Sequence, residues 1–259
     1  MGDIISILRD NWTLLLIGQY PHGPLGGLAL TFILSVLGLL LAFPLSVAIA
    51  LARVSPIRWV RAPATTLVYV VRGVPLIMFI FWVYFFVPLL IGTTVSGFTT
   101  MLVTLVIYEA AYLAEVIRAG IEGLPKGQTE AARAVGLSYM QTTFKVILPQ
   151  ALYNMVPAMI SQFVSTIKET SLGYVISVNE ITFAANQINS TLLTKPFEVF
   201  LILAAIYFIL CFSLTQLARH LERRITRKRA GANATATPLR AAAISNDSPT
   251  IADVQGTPS

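Results

Sequence analysis

Between Asp10 and Arg53 the chain carries no charged side chain, and the run PLGGLALTFILSVLGLLLAFPLSVAIAL, residues 24–51, is almost unbroken in its apolar character. A helix needs roughly 20 such residues to cross a ~30 Å hydrocarbon core, so this run is the first predicted span. Residues 63–90 form a second, with Arg72 inside it and the turn-rich IGTTVSG after it. Residues 98–119 form a third that contains Glu109 and Glu115. A fourth, residues 146–167, is free of charge but interrupted by Pro149 and Pro157, and residues 199–218 form the fifth. The pattern predicts an all-α membrane protein with about five transmembrane helices.

Five crossings put the two chain ends on opposite sides of the membrane. The loop after the first span carries Arg53, Arg58 and Arg61, and the loop after the third carries Arg118, Lys126, Arg133 and Lys145. The tail adds Arg219, Arg223, Arg224, Arg227, Lys228, Arg229 and Arg240, all on the same side in this arrangement. The opposite side has only Arg9, Lys168 and Lys195. Basic residues mark the cytoplasmic face, so the N-terminus is expected outside and the C-terminus in the cytoplasm. The expected organisation is an extracytoplasmic segment 1–24, a membrane domain 25–225 with a cytoplasmic loop at about 121–149, and a tail 226–259. That tail, rich in Ala, Thr, Ser, Pro and Gly with no aromatic residue, is expected to be disordered.

Composition agrees. Of the 259 residues 56% are hydrophobic and 12% charged, with mean hydropathy +0.75, whereas soluble domains carry about 25% charged residues. The net charge of +6 lies in short patches between apolar runs, which argues against a nucleic-acid partner. Cys211 is the only cysteine, so neither a disulfide framework nor a cysteine metal cluster is expected. The opening MGDIISILRDNW has no basic stretch ahead of an apolar core, so no cleavable signal peptide is expected. No G-x-x-x-x-G-K-[ST] phosphate loop, H-E-x-x-H or G-x-S-x-G occurs, and GLPKGQT lacks the phosphate-loop spacing. All four aspartates lie in the terminal segments, which excludes an intramembrane aspartyl protease.

The polar stretch EAARAVGLSYMQTTFKVILPQ, residues 130–150, is more structured than a connection requires. Pro125 and Gly127 punctuate its approach, and QTEAARAV favours a helix of about two turns, ~12 Å long. Gly136 stands where a helix C-terminus takes a left-handed residue. Ser138 and Gln141 then fit a capping box that opens a second helix leading into the fourth span. Ala131, Ala132 and Ala134 give the first helix slim sides suited to a partner's groove. An ordinary re-entry loop with helical content accounts for the same residues.

Charges inside the spans need partners or a wet cavity, because an ionised side chain at mid-depth costs about 2.5–3.5 kcal/mol. Arg72 and Glu109 each fall near mid-depth. Either they pair with each other, or Arg72 lines a path and meets a substrate carboxylate. Glu115 and Arg118, three residues apart, read as a local pair. The stretch KETSLGYVISVNE places Lys168, Glu169, Thr170, Ser171, Asn179 and Glu180 around Gly173. That fits a discontinuous helix lining a cavity, or an exposed outer loop. His22, alone in a Pro/Gly turn, is not a ligand candidate.

Glu130-Ala131-Ala132, then Gly136, Val146 and Leu148-Pro149, resemble the EAA signature of bacterial ABC importer permeases, with Val146 where isoleucine is usual. VRGVPLIM, YEAAYLAEVIRAGI, IKETSLGYVISVNEI and YFILCFSLTQLARHLERRI resemble the polar amino acid permeases, most closely the glutamate/aspartate type. The resemblance covers about residues 27–225. It implies a permease subunit in the inner membrane, without an ATPase site or cofactor of its own, ATP being hydrolysed by a partner. It also implies two cytoplasmic ATPase subunits, a second permease that is identical or homologous, and an extracytoplasmic amino-acid-binding protein. Glu130, Ala131, Ala132, Gly136, Leu148 and Pro149 would couple to the ATPase. Arg72, Glu109, Lys168, Glu169, Thr170, Ser171 and Glu180 would line the substrate path. A self-sufficient secondary amino acid carrier or channel is the other class the composition allows. Inverted repeats would favour the carrier, and none is visible.

Overall fold

The computed structural model describes residues 2–246. Its helices are α1 (Gly2–Ile17), α2 (Gly27–Val54), α3 (Arg58–Gly73), α4 (Leu76–Phe81), α5 (Val87–Ile91), α6 (Gly97–Glu122), α7 (Lys126–Ala134), α8 (Tyr139–Thr142), α9 (Leu148–Glu169), α10 (Ile181–Leu192) and α11 (Pro196–Asn246). π turns Trp82–Phe86 and Thr143–Ile147 join α4 to α5 and α8 to α9, and a 3₁₀ helix Thr170–Ile176 follows α9. Among the described residues the only extended pairings are two isolated bridges, Gly18 with Leu25 and Gly27 with Glu180. The fold is all-α.

The helices α2 and α6 and the first part of α11, Pro196–Ile225, are long and apolar enough to cross a membrane. The second predicted span is not one straight helix. It breaks into α3 and the α4–α5 pair, bent by 101°. The cause is Pro75, which has no N–H to continue the ladder and holds Val74 extended at φ −105°, ψ 133°. The fourth predicted run becomes α9, whose 22 residues include Gln150, Asn154, Gln162 and Lys168.

The centre of the fold is the seam between α2 and α6. On α2 the small residues Gly38, Ala42, Ser46 and Ala50 recur every fourth position, all buried. Side chains four apart share a helix face, and small ones let two backbones approach closely without a hydrophobic driving force. Ala110, Ala111 and Ala114 answer from α6, and a Cβ on Gly38 would already stand 3.4 Å from Leu105 Cβ. Around the seam Leu34, Val68, Ile80, Met101, Leu105 and Ile117 close the core. The opposite face of α2 exposes Phe32, Val36 and Leu40, as a lipid-facing surface does.

Among the described residues, 2–218 form one compact unit and 219–246 another. In the latter, α11 continues to Asn246. Its alanines and arginines are good helix formers. The rest of the expected tail, 247–259, lies outside the described residues.

The seam gives a direct test. Ala42→Leu overpacks a site with no accessible surface and is expected to cost about 1–3 kcal/mol, read as a lower unfolding midpoint in detergent. Val36→Leu, on the exposed face of the same helix, is expected to leave the midpoint unchanged.

Candidate functional site

The loop between α6 and α9 folds as the residue pattern anticipates. The N–H of Leu137 donates to Ala132 O at 3.1 Å and that of Gly136 to Arg133 O at 3.0 Å. This paired closure is the glycine C-terminal motif that satisfies the last carbonyls of a helix, and Gly136 adopts it at φ +85°. Ser138 then caps α8. Its Oγ accepts from Gln141 N at 3.3 Å, while Gln141 Oε1 accepts from Ser138 N at 2.9 Å. Glu130, Ala131 and Gly136 face outward, as does Pro149. Ala132 instead turns inward, under α7, and Leu148 is buried. Val135, Tyr139, Met140 and Phe144 are all exposed on this loop. A polar loop that displays four large apolar side chains offers a contact surface.

The charged groups of the spans are arranged differently from the sequence expectation. Arg72 does not pair with Glu109. The bend at Pro75 carries it to Glu115, with its Nη1 at 3.7 Å from Oε2 and its guanidinium over the Tyr112 ring at 5.0 Å. Glu115 does bond to Arg118, the expected local pair, and it also binds Arg53 from α2. One carboxylate thus ties α2, α3 and α6 together. The Arg53 side chain is only 4% exposed, so Glu115 neutralises a charge that has no access to water.

Glu109, fully buried, is satisfied by neutral donors from α9. Gln162 Nε2 donates to Oε2 at 2.9 Å and Thr166 Oγ1 to Oε1 at 2.7 Å. The half-buried Glu169 carboxyl lies near that of Glu109, and its Oε2 is buried without a hydrogen-bond partner. Lys168 is exposed beside it. Thr170 and Ser171 turn their hydroxyls back to Ile167 O and Lys168 O, at 2.7 and 2.6 Å. Glu180 is buried at the start of α10, where its carboxylate accepts from Thr182 N at 2.8 Å and Phe183 N at 2.9 Å, with Tyr207 Oη at 3.3 Å. Glu109 and Glu169 are therefore brought together, while Arg72 and Glu180 stand in separate clusters. Among the described residues no three His, Cys, Asp or Glu side chains converge as metal ligands would.

The sequence pattern did not reveal Arg53, Gln162, Thr166 and Tyr207 as partners of these carboxyls, nor Tyr112 as the ring beneath Arg72. Gln162 and Thr166 carried a usable signal, two polar residues four apart and so on one face of the helix.

Residues 42–227 match the family described as "Binding-protein-dependent transport system inner membrane component". The chain belongs to this family. It is a multi-pass inner-membrane component. Over 216 residues it is 37% identical to the probable glutamine ABC transporter permease protein GlnP of Bacillus subtilis, a match covering 81% of this chain and 99% of that protein. It is 36% identical over 204 residues to the glutamate transport system permease protein GluD of Corynebacterium glutamicum, covering 77% of this chain and 73% of the relative. Among solved structures, an amino acid ABC transporter crystallised with histidines superposes with a TM-score of 0.75 at 32% identity, covering 86% of this chain and 98% of the other.

The Glu115 cluster of this transport component is expected to matter more to stability than its surface partners. Glu115→Gln strands the buried Arg53 charge and is expected to cost about 3–5 kcal/mol. Arg72→Ala removes a half-exposed partner and is expected to cost ~0–1 kcal/mol. Thermal unfolding of the two purified variants measures the contrast.

Proposed function

We propose that the chain is the permease subunit of an ATP-driven importer of polar amino acids, and that the loop around α7 couples it to a separate ATPase. The observation that carries the coupling is the loop itself: a short helix closed by Gly136, a capped second helix, and exposed Val135, Tyr139, Met140 and Phe144 between two long helices. Glu130, Ala131, Gly136 and Pro149 belong to the exposed side of this loop, with Ala132 and Leu148 buried beneath it. The two relatives are named for glutamine and for glutamate, which supports an amino acid as cargo. Within that class, motifs such as VRGVPLIM and YEAAYLAEVIRAGI favour glutamate or aspartate.

The partners in this reading are two cytoplasmic ATPase subunits, a second permease subunit and an extracytoplasmic binding protein. Five crossings are assigned to α2, the bent α3–α5 pair, α6, α9 and α11. The N-terminus is outside, because the loop carrying Lys126, Arg133 and Lys145 is basic. Lys168, Glu169 and Ser171 line the substrate path where α9 gives way to its 3₁₀ turn, with Glu109 and Thr170 buried behind them. Arg72 and Glu180 hold the walls of that path.

Two experiments test this reading. Nothing lies within 4 Å of a Cβ placed on Gly136, so Gly136→Val acts through the backbone alone, at about 1–2 kcal/mol of left-handed strain. The variant is expected to insert normally, yet in vesicles with ATPase and binding protein its uptake of labelled glutamate or glutamine should fall at least tenfold. Gly136→Asn, tolerant of that conformation, should retain most of the uptake. Equal uptake by wild type and Gly136→Val would remove the linkage. For topology, a cysteine replacing Thr94 in a Cys211→Ala background should react with an impermeant thiol reagent from outside, and one replacing Lys126 should not. The reverse pattern would overturn the orientation.

A further inference from the structure

The helix α1 has three faces. Ile7 and Leu15 are buried against α10 and α11, with Ile4 and Leu14 beside them. Asp3, Ser6, Arg9, Asp10 and Thr13 form an exposed polar face. Between the two runs a stripe of Ile5, Leu8, Trp12 and Leu16, exposed at 67%, 43%, 56% and 42%. Steps of three and four residues keep these four on one side of a helix. A helix docked only on protein needs one apolar face, and this one has two.

Both ends of α1 are pinned to the starts of membrane-crossing helices. At its C-terminal end, Gly26 N donates to Ile17 O at 3.0 Å, and a Cβ on Gly27, the first residue of α2, would come within 2.4 Å of Leu15 O. At its N-terminal end, Asp3 bonds to Lys195, the residue before α11, and that ammonium holds the Asp3 carboxyl below its ordinary range. The distance between those starts is bounded by the length of α1. Its 16 residues rise about 24 Å, short of the ~30 Å core, so the two starts lie at the same membrane face. The helix joining them runs along that face. Phe32 and Val36 of α2 and Phe197, Phe200 and Leu201 of α11 are exposed as well.

We propose that α1 is an interfacial helix, lying in the plane of the membrane with Ile5, Leu8, Trp12 and Leu16 seated in the lipid at the headgroup boundary. A tryptophan in that stripe suits the boundary, where an apolar ring with one polar N–H is best placed. The polar face carries Asp3 and Asp10 against Arg9, so anionic lipid adds no attraction and the anchorage is apolar. This anchorage is independent of the identity of the cargo. With the outward N-terminus proposed for the chain, the face is the outer one.

The test uses the full chain, with any subunits that co-purify, in lipid nanodiscs of phosphatidylcholine alone or mixed with phosphatidylglycerol. In a Cys211→Ala background, nitroxides are attached singly to cysteines at Leu8, Leu16, Ser6 and Thr13. Collision with oxygen and with a water-soluble nickel chelate reports depth. Labels at Leu8 and Leu16 are expected at the same depth, about 5–10 Å below the headgroups, in both lipid mixtures. Labels at Ser6 and Thr13 should be open to nickel. Nickel access at Leu8 and Leu16 would place the stripe in water and overturn the proposal. So would shielding from both reagents, the mark of a protein partner, or a steady depth change from Leu8 to Leu16, the mark of a crossing helix.

Discussion

A carboxylate in a membrane protein has to find its partners within the chain, and Glu115 finds three. It gathers Arg53 from α2, Arg72 from α3 and Arg118 from its own helix. Without Glu115, a guanidinium that is almost inaccessible to water would be left unpaired, at a cost several times that of a surface ion pair. The cluster lies toward the ends of α2 and α6, beyond the small-residue stripe along which those helices touch. The stripe sets how close the helices come, and the cluster fixes their ends against each other.

The same requirement recurs at Glu109 and Glu180, with neutral donors. Glu109 takes Gln162 and Thr166 from α9, and Glu180 takes two backbone N–H groups of α10 and the hydroxyl of Tyr207. The bonds to Gln162, Thr166 and Tyr207 join segments far apart in the chain, so these groups hold the α6–α9 and α10–α11 pairs in register. Glu169 differs. It is only half-buried and faces another carboxyl, at the point where α9 tightens into a 3₁₀ helix. The proposed substrate path is placed at this incompletely satisfied group. Membership of the transport family gives that position its interest.

The loop of α7 and α8 works by different physics. Its shape comes from local backbone chemistry, a glycine at positive φ and a Ser–Gln box, so it does not depend on the membrane helices for its form. Its outward residues Val135, Met140 and Phe144 are exposed, and Tyr139 reaches back only through its hydroxyl, to Val54 O. A rigid element with an uncovered apolar surface can pass on motion to whatever covers it, and the proposed coupling rests on this property.

What the sequence determined by itself is what short-range rules decide. Long apolar runs specify helices, Gly136 and Ser138 specify the loop, and the composition specifies a membrane. The tertiary structure decided every pairing between helices. Arg72 and Glu109 looked matched by depth along straight spans, but Pro75 turned the helix by 101° and gave Arg72 to Glu115. Arg53, read as a loop charge, proved to be buried in the same cluster. Ala132, one of the three alanines that give its helix slim sides, is buried. No element was expected in residues 1–24, because α1 divides its apolar residues between two faces. Only the packing of one face against α10 separates it from the other. Periodicity reports which side of a helix is apolar. Which partner that side meets is set by residues scores of positions away.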